Sequence, residues 1–306
     1  MMNNIHSILM VRPSSFRMNS QTASNNYFQK NTHLNDAQVL KKACLEFDNL
    51  VSLLLSNGIP VNVFQDDLIN DTPDSIFPNN WISFHSNKRI AVYPMYAHNR
   101  RLERNYKIIK FIENLGIKID FINDYSDAEN HNLFLEGTGS MVLDRLNKKS
   151  YCSLSERTSE SLIEEFCDEF NYMPIIFKSY QSINKKRKLI YHTNVMMCVA
   201  NKYSIICLES IDSKIDKQIV IKSLKDDNKE IIEISEIQLN SFAGNMIELV
   251  FDNRSFLIMS SQAYKSLTKN QIQKIEKFSK IIHSSVETIE NCGGGSVRCM
   301  IAEIFN

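Results

Sequence analysis

Five short polar motifs recur along this 306-residue chain at nearly equal intervals, and this spacing restricts its possible folds more than any other feature. One marker residue in each motif defines four steps of 56, 56, 53 and 54 residues. The markers are Asn80 in Phe77-Pro-Asn-Asn-Trp81, Glu136 in Leu135-Glu-Gly-Thr-Gly-Ser140, His192 in Tyr191-His-Thr-Asn-Val195, Asn245 in Phe242-Ala-Gly-Asn-Met246 and Cys299 in Gly293-Gly-Gly-Ser-Val-Arg-Cys299. A period of this size predicts one supersecondary unit that is repeated five times.

The segments between the motifs follow one order of helix and strands. Helical periodicity begins near residues 36, 99, 155, 213 and 268, which repeats the motif period. A β-rich run follows each helix, at residues 61–64, 117–122, 174–177, 231–234 and 282–286. Four units have a last strand beyond the motif, at residues 89–93, 151–154, 204–208 and 255–259. The repeated unit is therefore of the α/β class.

The two ends of the chain complement each other. The fifth unit ends at Asn306 without its last strand, and residues 5–11 form a predicted strand that belongs to no unit. Pairing of this strand beside the run that begins near Arg298 would complete the fifth unit and remove an open sheet edge. We therefore expect one α/β domain over residues 1–306, a ring of five units closed by the N-terminal strand.

Composition and charge exclude several classes of protein. The 35 basic and 35 acidic residues cancel, so no net field favours nucleic acid or an anionic membrane. No stretch approaches the roughly 20 apolar residues of a membrane span, and the N-terminus lacks a signal peptide. The seven cysteines are odd in number and irregularly spaced. We expect a cytoplasmic protein that binds a small molecule; the sequence is compatible with a homo-oligomer and does not require one.

Cys299 is the cysteine with the most distinctive surroundings. Gly293, Gly294 and Gly295 precede it, and consecutive glycines allow backbone amides to face a ligand. Arg298 is its neighbour, and a nearby cation stabilises the thiolate, which is the nucleophilic form. Taken alone, Cys299 is as compatible with a structural cysteine as with a nucleophile.

His192 and Glu136 occupy the corresponding place in two other units. A histidine is the usual proton carrier for a cysteine nucleophile, and a carboxylate can orient its imidazole. Each residue taken alone is more typical of a hydrogen-bonded strand start or an exposed loop. Their occurrence with Cys299 at one register of a repeat favours a nucleophile, base and orienting acid, whereas Asn245 offers neither acid nor base.

We expect no metal and no cofactor in this chemistry. The chain has no His-Glu-x-x-His, no paired-cysteine zinc pattern and no aspartate-rich calcium loop. Its glycine run does not match the dinucleotide or phosphate-loop fingerprints.

Together the motifs resemble the penteins, the guanidine-modifying superfamily of five-bladed α/β propellers. The resemblance extends over nearly the whole chain and rests on Leu-Glu-Gly at 135, His-Thr-Asn at 192 and Gly-Gly-Gly-Ser-Val-Arg-Cys-Met at 293. It is strongest to the arginine-deiminase-related branch that includes citrulline hydrolases. The resemblance implies that Cys299 is the nucleophile, His192 the general acid and base, and Glu136 the partner of the histidine.

The same resemblance implies which arginines hold the α-carboxylate of the substrate. The segments around Arg100-Arg101-Leu-Glu103 and Leu154-Ser-Glu-Arg-Thr158 are similar to those that carry such arginines in dimethylarginine hydrolases. We expect Arg157 and one of Arg100 and Arg101 in this role. All three are predicted in the first turns of helices, where the helix dipole disfavours cations.

Three asparagines depart from the arginine deiminase pattern, which has aspartates in the first motif and two residues after the histidine. This chain has Asn79, Asn80 and Asn194 at those places. Aspartates bind a guanidinium by charge-assisted hydrogen bonds, whereas a neutral amide also offers a donor that suits the carbonyl oxygen of a ureido group. The asparagines thus favour a citrulline-like substrate, although Asp66, Asp67, Asp71 or Asp74 could also enter the pocket.

The sequence predicts a cysteine-dependent C–N hydrolase that converts citrulline to ornithine, carbon dioxide and ammonia. One alternative is a guanidino hydrolase of the arginine deiminase or dimethylarginine hydrolase type. Another is an amidinotransferase, which differs in the acceptor that attacks the covalent adduct on the cysteine. A non-catalytic pentein that serves as a binding module is disfavoured by the intact Glu136, His192 and Cys299.

Overall fold

The computed structural model describes residues 4–30 and 32–305. The strands are β1 (Ser7–Arg12), β2 (Val61–Gln65), β3 (Ile82–His85), β4 (Arg89–Val92), β5 (Phe121–Asp124), β6 (Met141–Asp144), β7 (Lys149–Ser153), β8 (Met173–Phe177), β9 (Tyr180–Ile183), β10 (Lys186–Leu189), β11 (Met197–Val199), β12 (Tyr203–Ile206), β13 (Glu230–Glu233), β14 (Ile247–Phe251), β15 (Arg254–Ser260), β16 (Lys280–Ser284) and β17 (Ala302–Ile304). The helices are α1 (Asp36–Ser56), α2 (His98–Arg101), α3 (Lys107–Asn114), α4 (Gly137–Ser140), α5 (Glu160–Phe170), α6 (Thr193–Met196), α7 (Lys214–Asp226), α8 (Glu236–Leu239), α9 (Ser261–Ser266), α10 (Lys269–Glu276) and α11 (Glu287–Gly293). This is a mixed α/β fold.

Three-stranded sheets repeat along the described chain and confirm the predicted α/β unit. Their strand orders are β17-β1-β2, β3-β4-β5, β6-β7-β8, β11-β12-β13 and β14-β15-β16. In the first four, the middle strand pairs antiparallel with one neighbour and parallel with the strand that follows the next helix. A separate hairpin, β9-β10, presents the basic run at residues 185–188 to solvent.

The N-terminal strand lies where the sequence predicts. β1 pairs antiparallel with β17, with Ser7 opposite Ile304, and parallel with β2, with Ile8 opposite Val61. The first and last strands of the chain therefore share one sheet. This pairing confirms the predicted position of the N-terminal strand beside the strand that follows Arg298.

The helix predicted to begin near residue 99 is not continuous, because the helical conformation is interrupted between α2 and α3. Leu102 and Tyr106 lie between these two helices and are 49% and 50% exposed. Ile109 and Ile112 are buried in α3, and Arg100 and Glu103, which bond to each other, are buried before it. Their pairing turns the polar face of this segment inward, which a hydrophobic pattern does not predict.

The helix predicted to begin near residue 155 begins five residues later. Ser155 and Thr158 form an isolated antiparallel bridge, and the Ser155 hydroxyl accepts a hydrogen bond from the backbone N–H of Arg157. This tight turn holds the chain in a non-helical path until α5. Arg157 therefore precedes the helix and does not lie in its first turn.

By contact density the described chain divides into two compact units. The Cys299 unit comprises residues 5–137 and 284–305, and the His192 unit comprises residue 4 with residues 138–283. The core of the Cys299 unit includes Leu9, Trp81, Ile82, Ile108 and Ala302. A single domain over residues 1–306 stays a prediction.

None of the described helices is both long enough and apolar enough to cross a bilayer.

Candidate active site

Four of the five motifs form a single helical turn directly before a strand. α4 precedes β6, α6 precedes β11, and 3₁₀ turns at Pro78–Asn80 and Val297–Met300 precede β3 and β17. Such a turn places polar side chains at the end of a sheet, and the side chains of Asn80, Glu136, His192 and Cys299 are all buried. His192 is the residue before its turn and Cys299 lies within one, so neither opens a strand as the sequence indicates.

The position after Glu136 requires a glycine, which is Gly137. Its φ is +47°, and a Cβ at this position would lie 2.3 Å from the backbone oxygen of Asn79. A side chain here would clash and would also strain the left-handed backbone. The glycine therefore lets the turn after Glu136 approach the turn that carries Asn79 and Asn80.

A buried cluster of one arginine and three acids lies in the Cys299 unit. Arg100 donates two hydrogen bonds of 2.9 Å, from Nε and Nη2, to the two carboxylate oxygens of Glu103. Its Nη1 donates to Oδ1 of Asn80 at 3.0 Å. The same guanidinium lies 3.7 Å from Asp74 Oδ2 and 3.7 Å from Glu136 Oε2. We call these residues, Asp74, Asn80, Arg100, Glu103 and Glu136, the Arg100 cluster.

The electrostatics of this cluster follow from burial and from the excess of acids. Burial raises the pKa of Glu103 to about 8, against the opposing charge and hydrogen bonds of Arg100. Burial alone would lower the pKa of Arg100, but the charges of Glu103 and Asp74 outweigh it and raise that pKa. Three acids share one cation, so their negative charges are not fully compensated within the cluster.

This raised pKa predicts a pH-dependent contribution to stability. A carboxyl group that binds its proton more tightly in the folded chain stabilises it fully below the unfolded pKa of about 4.5. That contribution is lost as the pH rises through about 8. We expect the unfolding free energy of the wild type, relative to Glu103→Gln, to fall over this interval in denaturant titrations at several pH values. The same pH dependence of the unfolding free energy in both proteins would contradict the prediction.

The carboxylate of Glu136 contacts a backbone N–H as well as the guanidinium of Arg100. Its Oε1 accepts a hydrogen bond of 3.0 Å from the backbone N–H of Tyr96, while Oε2 faces Arg100. Both contacts stabilise the ionised form of a buried carboxylate. The two contacts therefore hold the carboxylate of Glu136 in one orientation.

The glycine loop before Cys299 is packed too closely for side chains. Gly294 has φ +64°, and a Cβ there would lie 2.5 Å from the side-chain amide of Asn26. Cβ atoms at Gly293 and Gly295 would meet the ring of Phe77 at 2.8 Å and 3.1 Å. The amide of Asn26 donates to the backbone oxygen of Gly293 at 3.2 Å. These contacts set the path of the loop that leads to Cys299.

Arg298 bonds to two residues that follow the glycine loop. Its Nη1 donates to the backbone oxygen of Ile301 at 2.8 Å, and its Nη2 lies 3.2 Å from Glu303 Oε2. Glu303 thus offsets part of the charge that the sequence assigns to thiolate stabilisation. The backbone N–H of Cys299 donates to the oxygen of Ser296 at 2.9 Å, which closes the turn that holds the thiol.

His192 and Arg157 both contact the ring of Tyr191 in the His192 unit. The Tyr191 ring centre lies 4.6 Å from that of His192, and Cζ of Arg157 lies 4.8 Å from the Tyr191 ring centre. All three residues are buried. The structure therefore brings two of the predicted site residues, the candidate base and a candidate carboxylate-binding arginine, to one aromatic side chain.

Asn194 is connected to the fourth motif of the same unit. Its backbone oxygen accepts a hydrogen bond of 3.0 Å from the side chain of Asn245. Gly244 lies directly against the α6 turn, because a Cβ there would be 2.3 Å from the backbone oxygen of Val195. The fourth motif therefore supports the turn that carries Asn194, as expected for a residue without acid or base chemistry.

Arg100 and Arg101 have different surroundings. Arg101 donates from Nε to the backbone oxygen of Met95 at 3.1 Å and lies 3.3 Å from Glu129. Its side chain is 22% exposed, compared with 3% for Arg100. Arg101 is therefore the more accessible of the two.

Several residues of this region were not predicted. Glu103, Asn19 and Asn26 are buried there, and Asn19 donates to Asp74 Oδ2 at 2.7 Å. The i, i+3 spacing of Arg100 and Glu103 was a usable signal for an ion pair on one helical turn. Asn19 and Asn26 lie in a segment without regular structure, where no pattern marks them.

Within the described residues, no group of three or more His, Cys, Asp or Glu side chains is arranged to hold a metal ion.

Solved structures similar to this chain share its fold at low sequence identity. The cyanobacterial arginine dihydrolase ArgZ, solved without ligand, has a TM-score of 0.74 at 16% identity; the match covers 98% of this chain and 40% of that one. The N-terminal domain of ArgZ, solved with its substrate, gives 0.71 at 16% identity with 98% of each chain covered. A dimethylarginine dimethylaminohydrolase, solved as an adduct with S-methyl-L-thiocitrulline, gives 0.63 at 15% identity, covering 98% of this chain and 99% of that one.

The sequence itself matches one family model over nearly its whole length. Comparison with curated protein sequences gives no match. The model of the eukaryotic N,N-dimethylarginine dimethylhydrolase family matches residues 12–306. This match, with the shared fold, confirms the resemblance to the penteins, and the chain belongs to the N,N-dimethylarginine dimethylhydrolase family of that superfamily.

Proposed function

We propose that this protein is a cysteine-dependent hydrolase of a ureido amino acid, and that its substrate is citrulline. The products would be ornithine, carbon dioxide and ammonia. Membership in a family named for a C–N hydrolase supports the reaction class. The preference for a ureido over a guanidino group is supported by one observation, the side chain of Asn80.

The amide of Asn80 is suited to bind a carbonyl oxygen. The residue is 2% exposed, and its Oδ1 already accepts the hydrogen bond from Arg100. Its Nδ2 is buried and has no hydrogen-bond partner among the described residues. A buried donor without a partner costs about 1–3 kcal/mol. A ureido oxygen would satisfy it, whereas a guanidinium has only donors.

The acids of the Arg100 cluster already surround an internal guanidinium. Asp74, Glu103 and Glu136 all lie within 3.7 Å of Arg100. The negative charge of these acids is offset in part by this side chain. A second, substrate guanidinium would therefore gain less from these acids than it would from unpaired carboxylates.

The proposed reaction has two steps. The Cys299 thiolate attacks the ureido carbon, and the bond from that carbon to the δ-nitrogen breaks as His192 donates a proton, which releases ornithine. His192 then takes a proton from water, which attacks the thiocarbamoyl adduct and regenerates the thiolate. The released carbamate decomposes to carbon dioxide and ammonia. Glu136 is proposed to orient the imidazole of His192.

A guanidino hydrolase is the second candidate. It is favoured by the excess of three acids over one arginine in the Arg100 cluster, and by the relatives, which are described as arginine or dimethylarginine hydrolases. An amidinotransferase requires the same adduct and a different acceptor.

The proposal includes the wider expectations from the sequence. These are one ring of five α/β units closed by the N-terminal strand, and a cytoplasmic protein whose partner is a free amino acid rather than a nucleic acid or membrane. This chain matches 40% of the longer ArgZ chain, and the activities of that longer protein lie outside this proposal.

A substrate panel tests the proposal. Purified protein is incubated separately with citrulline, arginine and asymmetric dimethylarginine, and ornithine, citrulline, ammonia and dimethylamine are quantified. Ornithine and ammonia from citrulline would support a ureido hydrolase. Citrulline from arginine or dimethylarginine would establish the guanidino alternative, and no turnover of any compound would overturn both.

Arg157 is expected to bind the α-carboxylate of the substrate. Its guanidinium lies on the Tyr191 ring beside His192, and a fixed guanidinium suits bidentate binding of a carboxylate. Arg157→Ala should raise KM at least about tenfold for citrulline. The same change should have little effect on N-butylurea, a ureido analogue without a carboxylate. Equal effects on both compounds would indicate a structural role.

A further inference from the structure

We infer that Glu290 is a positioning residue for the Cys299 thiol: its buried carboxylate holds the hydroxyl of Ser296, and this bond fixes the turn that carries the nucleophile. The inference rests on the proposed function, because it takes Cys299 as the residue that attacks the substrate. It assigns a role to a buried acid that lies outside both the Arg100 cluster and the five repeated motifs. In this role Glu290 acts through Ser296.

The carboxylate of Glu290 is buried and bonded to a buried hydroxyl. Glu290 lies in α11 and is 1% exposed, and Ser296 is 0% exposed. The Ser296 hydroxyl donates a hydrogen bond of 2.6 Å to Glu290 Oε1, a length typical of a hydroxyl that donates to a carboxylate. A carboxyl group is rarely buried without such a partner, and removing a partner costs more at a buried position than at an exposed one. This bond therefore constrains both residues.

Ser296 connects this carboxylate to the backbone of Cys299. It is the residue before the turn at Val297–Met300, a place where a serine hydroxyl usually accepts a hydrogen bond from the backbone of the turn. Within the described chain its hydroxyl makes no such capping bond and donates to Glu290 instead. Its backbone oxygen accepts a hydrogen bond from the N–H of Cys299 at 2.9 Å. A displacement of Ser296 would therefore displace the thiol.

The bond between these side chains spans a run of glycines. Three consecutive glycines at residues 293–295 lie between Glu290 and Ser296, and glycine has more backbone freedom than any other residue. The packing contacts of the glycine loop limit its path. The bond from Ser296 to Glu290 fixes the end of the loop that leads to Cys299, so that the freedom of the glycines is not passed on to the thiol.

The helix that carries Glu290 is held at both ends. In its first turn the backbone N–H groups of Thr288 and Ile289 donate to the two carboxylate oxygens of Glu46, at 2.9 Å and 3.1 Å. At its other end the N–H of Gly294, which has φ +64°, donates to the backbone oxygen of Glu290 at 2.9 Å. Glu290 is therefore an acceptor with a fixed position.

Ser296→Ala tests this role, because it removes the hydroxyl and keeps the backbone oxygen that bonds to Cys299. A misplacement of about 1 Å near the reacting atoms can lower turnover about 100-fold. We expect kcat for citrulline to fall at least about tenfold with KM unchanged within about twofold, since the bond orients the nucleophile and does not bind the substrate. Glu290→Ala should give the same pattern. A bond that only stabilises the fold would lower the midpoint of thermal unfolding and leave kcat unchanged.

Glu290→Gln separates the hydrogen bond from the charge. The amide oxygen of glutamine can still accept the Ser296 hydroxyl, so kcat should stay within about threefold of wild type. The double variant Ser296→Ala/Glu290→Gln should be no slower than Ser296→Ala alone, because both changes act on one bond. A loss in Glu290→Gln as large as that in Ser296→Ala would overturn the positioning role.

Ser255→Ala is the matched control. The Ser255 hydroxyl also donates to a glutamate, at 2.7 Å to Glu248 Oε1, and lies in the His192 unit. Its loss should leave kcat unchanged. If Ser296→Ala does not fold, as judged by thermal unfolding, Glu290→Asp serves in its place. The shorter side chain withdraws the carboxylate from Ser296 by one methylene group and should lower kcat in the same way.

The outcomes distinguish this inference from the proposed function. Wild-type kcat in a folded Ser296→Ala variant would overturn the inference alone. If the unmodified protein turns over arginine or dimethylarginine and not citrulline, the proposed substrate is wrong, and the same comparison of variants with that substrate decides the inference. No turnover of any of the three compounds would overturn both.

Discussion

Replacing Cys299 by alanine is expected to abolish turnover while the fold is retained. The substitution removes the nucleophile of the proposed covalent step, and loss of a nucleophile in comparable enzymes lowers kcat by about 10⁴-fold or more. Only one buried sulfur atom is lost, from a turn that is held by backbone hydrogen bonds. Steady-state kinetics and circular dichroism of the variant measure the two effects.

Cys292→Ala is the matched control for this prediction. Cys292 is also buried and lies directly before the same glycine loop. Burial raises the pKa of its thiol, which disfavours the nucleophilic thiolate. Its replacement should leave kcat within a few-fold of wild type. Near-normal activity in Cys299→Ala, or equal losses in both variants, would refute the assignment of the nucleophile.

The second large expected effect is discrimination by substrate charge. Citrulline should exceed arginine in kcat/KM by at least about tenfold, because a guanidinium leaves the Asn80 donor unsatisfied at a cost of about 1–3 kcal/mol. A buried cation without its own carboxylate partner adds a further penalty. Competition assays with the two amino acids measure this ratio directly.

An aspartate in place of one amide should reduce the discrimination. Asn80→Asp and Asn194→Asp each add a carboxylate that can accept hydrogen bonds from a guanidinium. Both variants should therefore have a lower ratio of kcat/KM for citrulline to kcat/KM for arginine. Asn62→Asp is the control, because Asn62 lies in β2 and its amide donates to the hydroxyl of Ser7. Arginine turned over by the unmodified protein as well as citrulline would contradict the charge argument and favour the guanidino hydrolase.

Much of the fold follows from the sequence because hydrophobic and β-branched residues mark the helices and strands that repeat with the motif period. Thr268 and Gln271 form a capping box at the start of α10, next to the predicted helix start near residue 268, and β1 pairs with β17 as expected. The predictions were wrong where buried polar pairs redirect the chain. Arg100 and Glu103 end α2 early, and the Ser155 turn delays α5.

The candidate site was predictable in its residue types and not in its electrostatics. Glu136, His192 and Cys299 share one position of a repeat, and that register is readable in a single sequence. The pairing of Arg100 with Glu103 and Asn80 depends on side-chain directions, which spacing does not specify. Likewise, Asn26 reaches a glycine loop 267 residues further along the chain.

Acid-quenched mass spectrometry during turnover tests the central claim most directly. The protein is mixed with citrulline labelled at the ureido carbon, and in a parallel sample with citrulline labelled in its aliphatic chain. Peptide mapping then locates any label on the protein. We predict that the peptide containing Cys299 carries the ureido carbon without the aliphatic chain. Citrulline consumed with no label on Cys299, or a Cys299 adduct formed from arginine and not from citrulline, would contradict the account.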